Sequence, residues 1–231
     1  MMINAKKLIE QMENKITKSL QPLTVASFKK SVQKGSWILD TRPSSVFTES
    51  FVPGSISIGL DGSISDWAAA LIPLDQPIVL ITELGKEQES FTQLANVGIV
   101  KIEGYLDGGF ETWTKEGQKI DMIIDIEPDE LAMDIPHDNK LEILDVRKPE
   151  EFDAGHIKGA VNLPLDAMKD MLTIAQIDDE NNLYIHCAGG YRSVIAASLI
   201  KRQGFHNIRN IAGGFNEICK VKNIPLAHPK K

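Results

Sequence analysis

Ile38-Leu39-Asp40-Thr41-Arg42 returns as Ile143-Leu144-Asp145-Val146-Arg147, a displacement of 105 positions. Outward from this pair the same displacement recurs: Phe47 and Gly54 meet Phe152 and Gly159, and Gly108-Gly109-Phe110 meets Gly213-Gly214-Phe215. A fixed offset of this length marks a duplicated structural unit. The 231 residues therefore read as a short leader, 1–20, followed by two units, 21–119 and 120–231. Ile9, Met12, Ile16 and Leu20 fall on one helical face, so the leader is expected to be a docked or partner-binding helix.

Each unit alternates short apolar runs with helical spacing, which predicts an α/β fold built on a mainly parallel sheet flanked by helices. In the second unit Leu141 to Val146 and Leu183 to His186 read as strands, as does Asn207 to Asn210. Pro149 to Ala154 reads as a brief helix, its proline tolerated in the first turn. Val194, Ala197 and Ile200 or Lys201 give helical spacing over Ser193 to Gln203, and Gly204 ends it. The first unit follows with strands at Ser36 to Asp40 and Ile78 to Thr82 and a helix near Lys86 to Asn96.

Composition excludes several classes. Apolar residues at 42% suit a folded chain, two cysteines cannot build a disulfide framework, and no stretch nears the roughly 20 apolar residues of a membrane helix. Charges at Lys6, Lys7 and Glu10 interrupt the start where a signal peptide needs an apolar run, so a reducing cytoplasm is the expected location. The net charge of -7 argues against a nucleic-acid or anionic-membrane partner. Yet from Cys187 onward Arg192, Lys201, Arg202, Arg209, Lys220, Lys222, Lys230 and Lys231 face only Glu217. Two readings fit: solvated helix faces with a basic tail, or a positive rim around a small-anion site.

Cys187-Ala188-Gly189-Gly190-Tyr191-Arg192 follows a strand and opens a helix, so successive amides can converge on the sulfur as an anion cradle. A free thiol is only a few per cent ionised at neutral pH, so nucleophilic chemistry requires surroundings that favour the thiolate. A helix terminus contributes about 0.3 to 1 kcal/mol, which is too little alone. Direct amide bonds from the loop and the charge of Arg192 must add to it. The two glycines let backbone approach closely. Against this, a lone cysteine after a strand is often an inert buried thiol, and Arg192 could be a surface ion-pair partner. His186 is a weaker candidate, since adjacent strand residues point to opposite faces. Cys219 reads as a packing residue on the last helix, Tyr191 as lining the pocket mouth or plain surface, and His156 as structural.

The segment Asp145 to Pro164, with the Cys187-to-Arg192 loop, closely resembles the rhodanese sulfurtransferases. The resemblance implies two tandem rhodanese-like domains, with Cys187 carrying a sulfane sulfur as a persulfide held by Ala188, Gly189, Gly190, Tyr191 and Arg192. It implies a small anionic sulfur donor such as thiosulfate or a low-molecular-weight persulfide, and a thiol, sulfite or cyanide acceptor. No cofactor or metal is expected. A phosphatase of the same fold is the enzymatic rival, although its loop needs one more residue between Cys and Arg; a non-enzymatic persulfide carrier is the other rival. The displacement of 105 puts Thr82 at the place of Cys187 and Glu87 at that of Arg192, so the first unit resembles a rhodanese domain without its chemistry. With Asp61-Gly62 and Trp67-Ala68 it also resembles the inactive rhodanese domain of bacterial persulfide dioxygenase fusions, which points to a separate persulfide-oxidising enzyme as a partner.

Overall fold

The computed structural model describes residues 20–227, so the expected helix over residues 1–20 lies outside the described residues but for Leu20. The first repeat runs β1 (Pro22–Leu23), α1 (Val25–Gln33), β2 (Trp37–Asp40), α2 (Ser44–Glu49), β3 (Ser55–Ser57), α3 (Ile64–Leu71), β4 (Ile78–Ile81), α4 (Glu87–Asn96), β5 (Ile102–Leu106) and α5 (Gly109–Lys115). Its sheet has the order β1-β5-β4-β2-β3, with β1, β5, β4 and β2 parallel in turn.

The second repeat runs β6 (Ile124–Ile126), α6 (Pro128–Asp134), β7 (Leu141–Asp145), α7 (Pro149–Ala154), β8 (His156–Ile157) and β9 (Val161–Asn162). A 3-10 turn (Leu165–Lys169) and α8 (Met171–Ile174) lead to β10 (Asn182–His186), α9 (Tyr191–Arg202), β11 (Ile208–Ile211), α10 (Gly214–Ile218) and β12 (Leu226–Ala227). The sheet order β6-β11-β10-β7-β9 repeats that of the first, and every pairing in it is parallel. The expected α/β class with parallel, helix-flanked sheets is what forms.

By proximity of Cα atoms one compact unit holds the described residues up to 42 with 58–119, and the other holds 43–57 with the described residues from 120 on. A linear reading of the repeat does not foresee the grouping of 43–57 with the second unit. Its hydrogen bonds there account for it. Phe51 and Asp121 exchange both backbone bonds at 2.8 and 2.9 Å, Thr48 Oγ1 donates to the Asp125 carboxylate at 2.5 Å, and the Ser57 amide donates to Ser198 Oγ at 3.0 Å.

The central strands are apolar runs because both faces are covered: Ile78, Val79, Leu80 and Ile81 are all buried, as are Leu183 to His186. Strand β10 registers Ile185 with Leu144 and His186 with Asp145, so the ends of two neighbouring strands meet just below Cys187. On one side of this sheet Ile126, Leu131, Ile143, Ile157, Tyr184, Ile211, Ile218 and Ile224 form a continuous core. Helix α9 is buried through eight consecutive residues, Ser193 to Ile200, so its 3.6-residue spacing understated its burial. It begins at Tyr191 rather than Ser193, which carries Arg192 into its first turn. Its end is as expected, with Gln203 at the cap and Gly204 at φ +99°.

Candidate functional site

Cys187 follows β10 and is 1% exposed. The loop turns on Gly190 at φ +109°, a conformation that side chains disfavour, and the turn aims the Gly190 amide at the Cys187 Sγ across 3.1 Å. Ala188 and Gly190 are half-buried and Gly189 is exposed; Tyr191, the first residue of α9, is half-buried. The other half of the repeat signature lies directly against this loop. Phe215 N donates to Cys187 O at 2.7 Å and Asn216 N to Ala188 O at 3.0 Å. A Cβ on Gly214 would stand 2.5 Å from Cys187 O, so the second glycine of Gly213-Gly214-Phe215 is required by backbone contact with the cysteine loop.

The Asp-x-Arg signature is a closed fork. Arg147 Nε and Nη2 donate to both Asp145 oxygens at 2.6 to 3.0 Å, the Arg147 amide adds a bond at 3.0 Å, and Nη2 also reaches Gly155 O at 2.7 Å. The guanidinium lies 3.8 Å over the Phe215 ring. With Asp145 wholly buried and Arg147 nearly so, this pair is buried away from solvent with its charges matched, and it braces the loop through Phe215.

Arg192 is placed otherwise. Its Nη1 and Nη2 donate to the two Glu151 oxygens at 2.7 and 2.8 Å, and the same guanidinium lies within interacting range of the Cys187 side chain. The Arg192 hydrogen bonds hold the Glu151 carboxyl down to about 2, against the opposing pull of burial. Sequence reading singled out Arg192 but not Glu151. A signal was available: at a displacement of 105 the first repeat has Val46 and Glu87, so both members of the pair change together.

His186 is fully buried, and burial lowers its pKa against the opposing field of Asp145. Its Nδ1 stands 3.2 Å from Cys187 O, not at the sulfur, and its Nε2 is 3.7 Å from Asp145. This matches the opposite-face argument. His156 stacks on Phe152 at 3.7 Å with Nδ1 2.9 Å from Phe152 O, a structural arrangement. Cys219 caps α10 and is exposed, so the packing role expected for it does not hold. Among the described residues, three of the cations expected to form the positive rim are neutralised in pairs. Arg192, Lys201 and Lys220 are paired with Glu151, Asp121 and Glu217, Arg209 lies over Tyr184, and Lys230 and Lys231 fall outside the described residues. Each of those three cations is answered by an acid close in space, two of them distant in sequence.

The corresponding loop of the first unit is filled from within. Thr82 is buried, and the Gly85 amide, counterpart of Gly190, donates to Glu87 Oε1 at 3.1 Å. The brace beneath it is intact: Arg42 forks onto Asp40 at 2.6 to 3.0 Å and lies 4.2 Å over Phe110. The scaffold is thus duplicated, and the loop amide that meets a sulfur in the second unit meets a carboxylate in the first. Among the described residues no group of three His, Cys, Asp or Glu side chains could hold a metal ion, and no helix is long and apolar enough to cross a membrane.

Two parallel, helix-flanked sheets of the same strand order, one ending at a buried cysteine whose sulfur accepts a loop amide, define a duplicated α/β protein with one such cysteine loop. The chain belongs to the family of rhodanese-like domains, whose model matches residues 24–116 and 127–220. It is 37% identical over 78 residues to the uncharacterised protein YqhL of Bacillus subtilis strain 168, covering 34% of this chain and 60% of that one. It is 35% identical over 83 residues to the putative sulfur carrier protein YrkF of the same strain, covering 36% and 44%. The thiosulfate sulfurtransferase PspE of Escherichia coli K12 is 32% identical over 79 residues, 34% of this chain and 75% of that one. The chain thus spans less than two thirds of the length of the first two.

Proposed function

We propose that the chain is a sulfurtransferase working by double displacement at Cys187. The observation that carries the reading is the Gly190 amide on Sγ at 3.1 Å with the Arg192 guanidinium beside the same sulfur, donors placed to hold the terminal sulfur it accepts. In the first half, Cys187–S⁻ attacks the outer sulfur of the donor. With thiosulfate the S–S bond breaks, sulfite leaves with the bonding pair, and Cys187–S–S⁻ remains. With an organic persulfide R–S–SH, the products are Cys187–S–SH and the thiolate R–S⁻. In the second half a thiol, sulfite or cyanide attacks the terminal sulfur and Cys187 leaves as thiolate. Neither half consumes an oxidant or needs an organic cofactor. A separate persulfide-oxidising enzyme that draws on the product belongs to the same proposal.

Intact mass after exposure to either donor is the test. The parent chain gains one sulfur and the Cys187→Ser chain gains none; equal gain by both overturns the assignment. A non-enzymatic carrier is the second reading, supported by the likeness to a putative sulfur carrier. It requires fast loading without multiple turnover on small acceptors. The phosphatase reading is disfavoured because the loop from Cys187 to Arg192 holds four residues between the two, one short of what that chemistry needs.

A further inference from the structure

We infer that Glu151 sets donor choice at Cys187, favouring organic persulfides over the thiosulfate dianion. The inference rests on the sulfurtransferase reading above and names the substrate class of that site. Arg192 is the sole cation between Cys187 and the end of the loop, and two of its nitrogens are already bound to Glu151 at 2.7 and 2.8 Å. The nearby guanidinium of Arg147 is likewise committed, to Asp145 and to Gly155 O. The Arg192 side chain is 18% exposed and that of Glu151 35%, so water screens the cancellation only in part.

Cys187 as thiolate, Arg192 and Glu151 together carry one net negative charge before a donor arrives. Thiosulfate adds two more. A simple alkyl persulfide arrives neutral or with one, and its leaving thiolate carries away the charge that the cysteine brought. The loop amides serve either donor equally, because both place a sulfur at the same point. The discrimination therefore comes from the one carboxylate that offsets Arg192. A unit charge a few ångströms away in a partly hydrated site changes an encounter by about tenfold.

Glu151 also accepts the Lys148 amide at 3.1 Å, a cap on α7, and a glutamine keeps an oxygen for that bond. Glu151→Gln thus removes the charge while retaining the cap, and Glu151→Asp retains the charge. The experiment measures kcat/KM for thiosulfate and for the persulfide of 2-mercaptoethanol, with cyanide as acceptor, in the full chain. The parent favours the persulfide. In Glu151→Gln the thiosulfate-to-persulfide ratio rises by about tenfold, and in Glu151→Asp it stays nearer the parent's. An unmoved ratio in Glu151→Gln, or an equal loss on both donors, overturns the donor-choice role while leaving the sulfurtransferase reading standing. Failure of both donors to load parental Cys187 overturns that reading itself.

Discussion

The Gly190 amide points at the Cys187 sulfur because Gly190 sits at φ +109°, and it is the turn, not a side chain, that delivers this donor. A Cβ at Gly190 would find its nearest neighbour 3.9 Å away, so space is not what excludes a side chain. Conformation is: an L-residue here costs about 1 to 2 kcal/mol and relaxes by rotating the amide away. Gly190→Ala is therefore expected to fold, with Tm lowered by a few degrees. Its rate of Cys187 alkylation by iodoacetamide at pH 7 should fall at least about tenfold. Alkylation at the parental rate would show that this amide does not activate the thiol.

The first unit supplies a control for how much the scaffold alone can do. Thr82→Cys places a thiol where the braced loop of the second unit has one, but the Gly85 amide is already occupied by Glu87. In a Cys187→Ser background, Thr82→Cys is expected to gain no sulfur by intact mass after donor exposure. Adding Glu87→Arg removes the internal carboxylate and supplies a cation, and should give measurable loading. A single Thr82→Cys chain that loads as fast as the parent would mean that loop occupancy is irrelevant.

Much of the fold was legible because duplication gives every strand two chances to be read. Asp40 and Asp145 end matching strands, and the apolar runs at Ile78 and Leu183 are continuous because both sheet faces are covered. The Cys187 loop was legible because it is local: six consecutive residues hold the cysteine, the Gly190 whose amide meets its sulfur, and Arg192. Glu151 was not, since it reaches Arg192 from 41 positions away, and linear spacing carries no such distance. The placement of residues 43–57 was hidden for the same reason, being set by bonds such as Thr48 to Asp125, 77 positions apart. Local charge counts overstate the free charge at Lys201 and Arg192 because Asp121 and Glu151 answer them from earlier in the chain.

The two buried forks make separable predictions. Removing one partner strands a carboxylate that is wholly inaccessible, which costs about 3 to 5 kcal/mol. All three tryptophans, Trp37, Trp67 and Trp113, lie in the first repeat. Arg42→Ala should shift the denaturant midpoint seen by tryptophan fluorescence. Arg147→Ala should instead expose Cys187 to thiol reagents at lower denaturant, with a smaller change in fluorescence. Coincident, equal shifts by both probes in both variants would show that the units unfold as one.

His186 gives the pH prediction. Burial lowers its pKa in the folded chain, with Arg147 adding to the effect and Asp145 opposing it, so the folded state holds the ring neutral below the ordinary histidine value near 6.5. The unfolded chain binds a proton there first, and stability falls wherever the unfolded state binds more protons as the pH drops. The contribution of the neutral ring is therefore complete above about pH 6.5 and is lost progressively below it, down to the depressed folded pKa. Urea midpoints between pH 8 and pH 5 should fall more steeply for the parent than for His186→Gln, whose amide can still donate to Cys187 O. Because Nδ1 meets that carbonyl rather than the sulfur, sulfur loading per folded molecule should stay within about threefold of the parent at pH 8, an effect under 1 kcal/mol. Parallel midpoint curves for the two chains would place the acid sensitivity elsewhere, and a collapse of loading in His186→Gln would assign the imidazole a part in the chemistry that its geometry argues against.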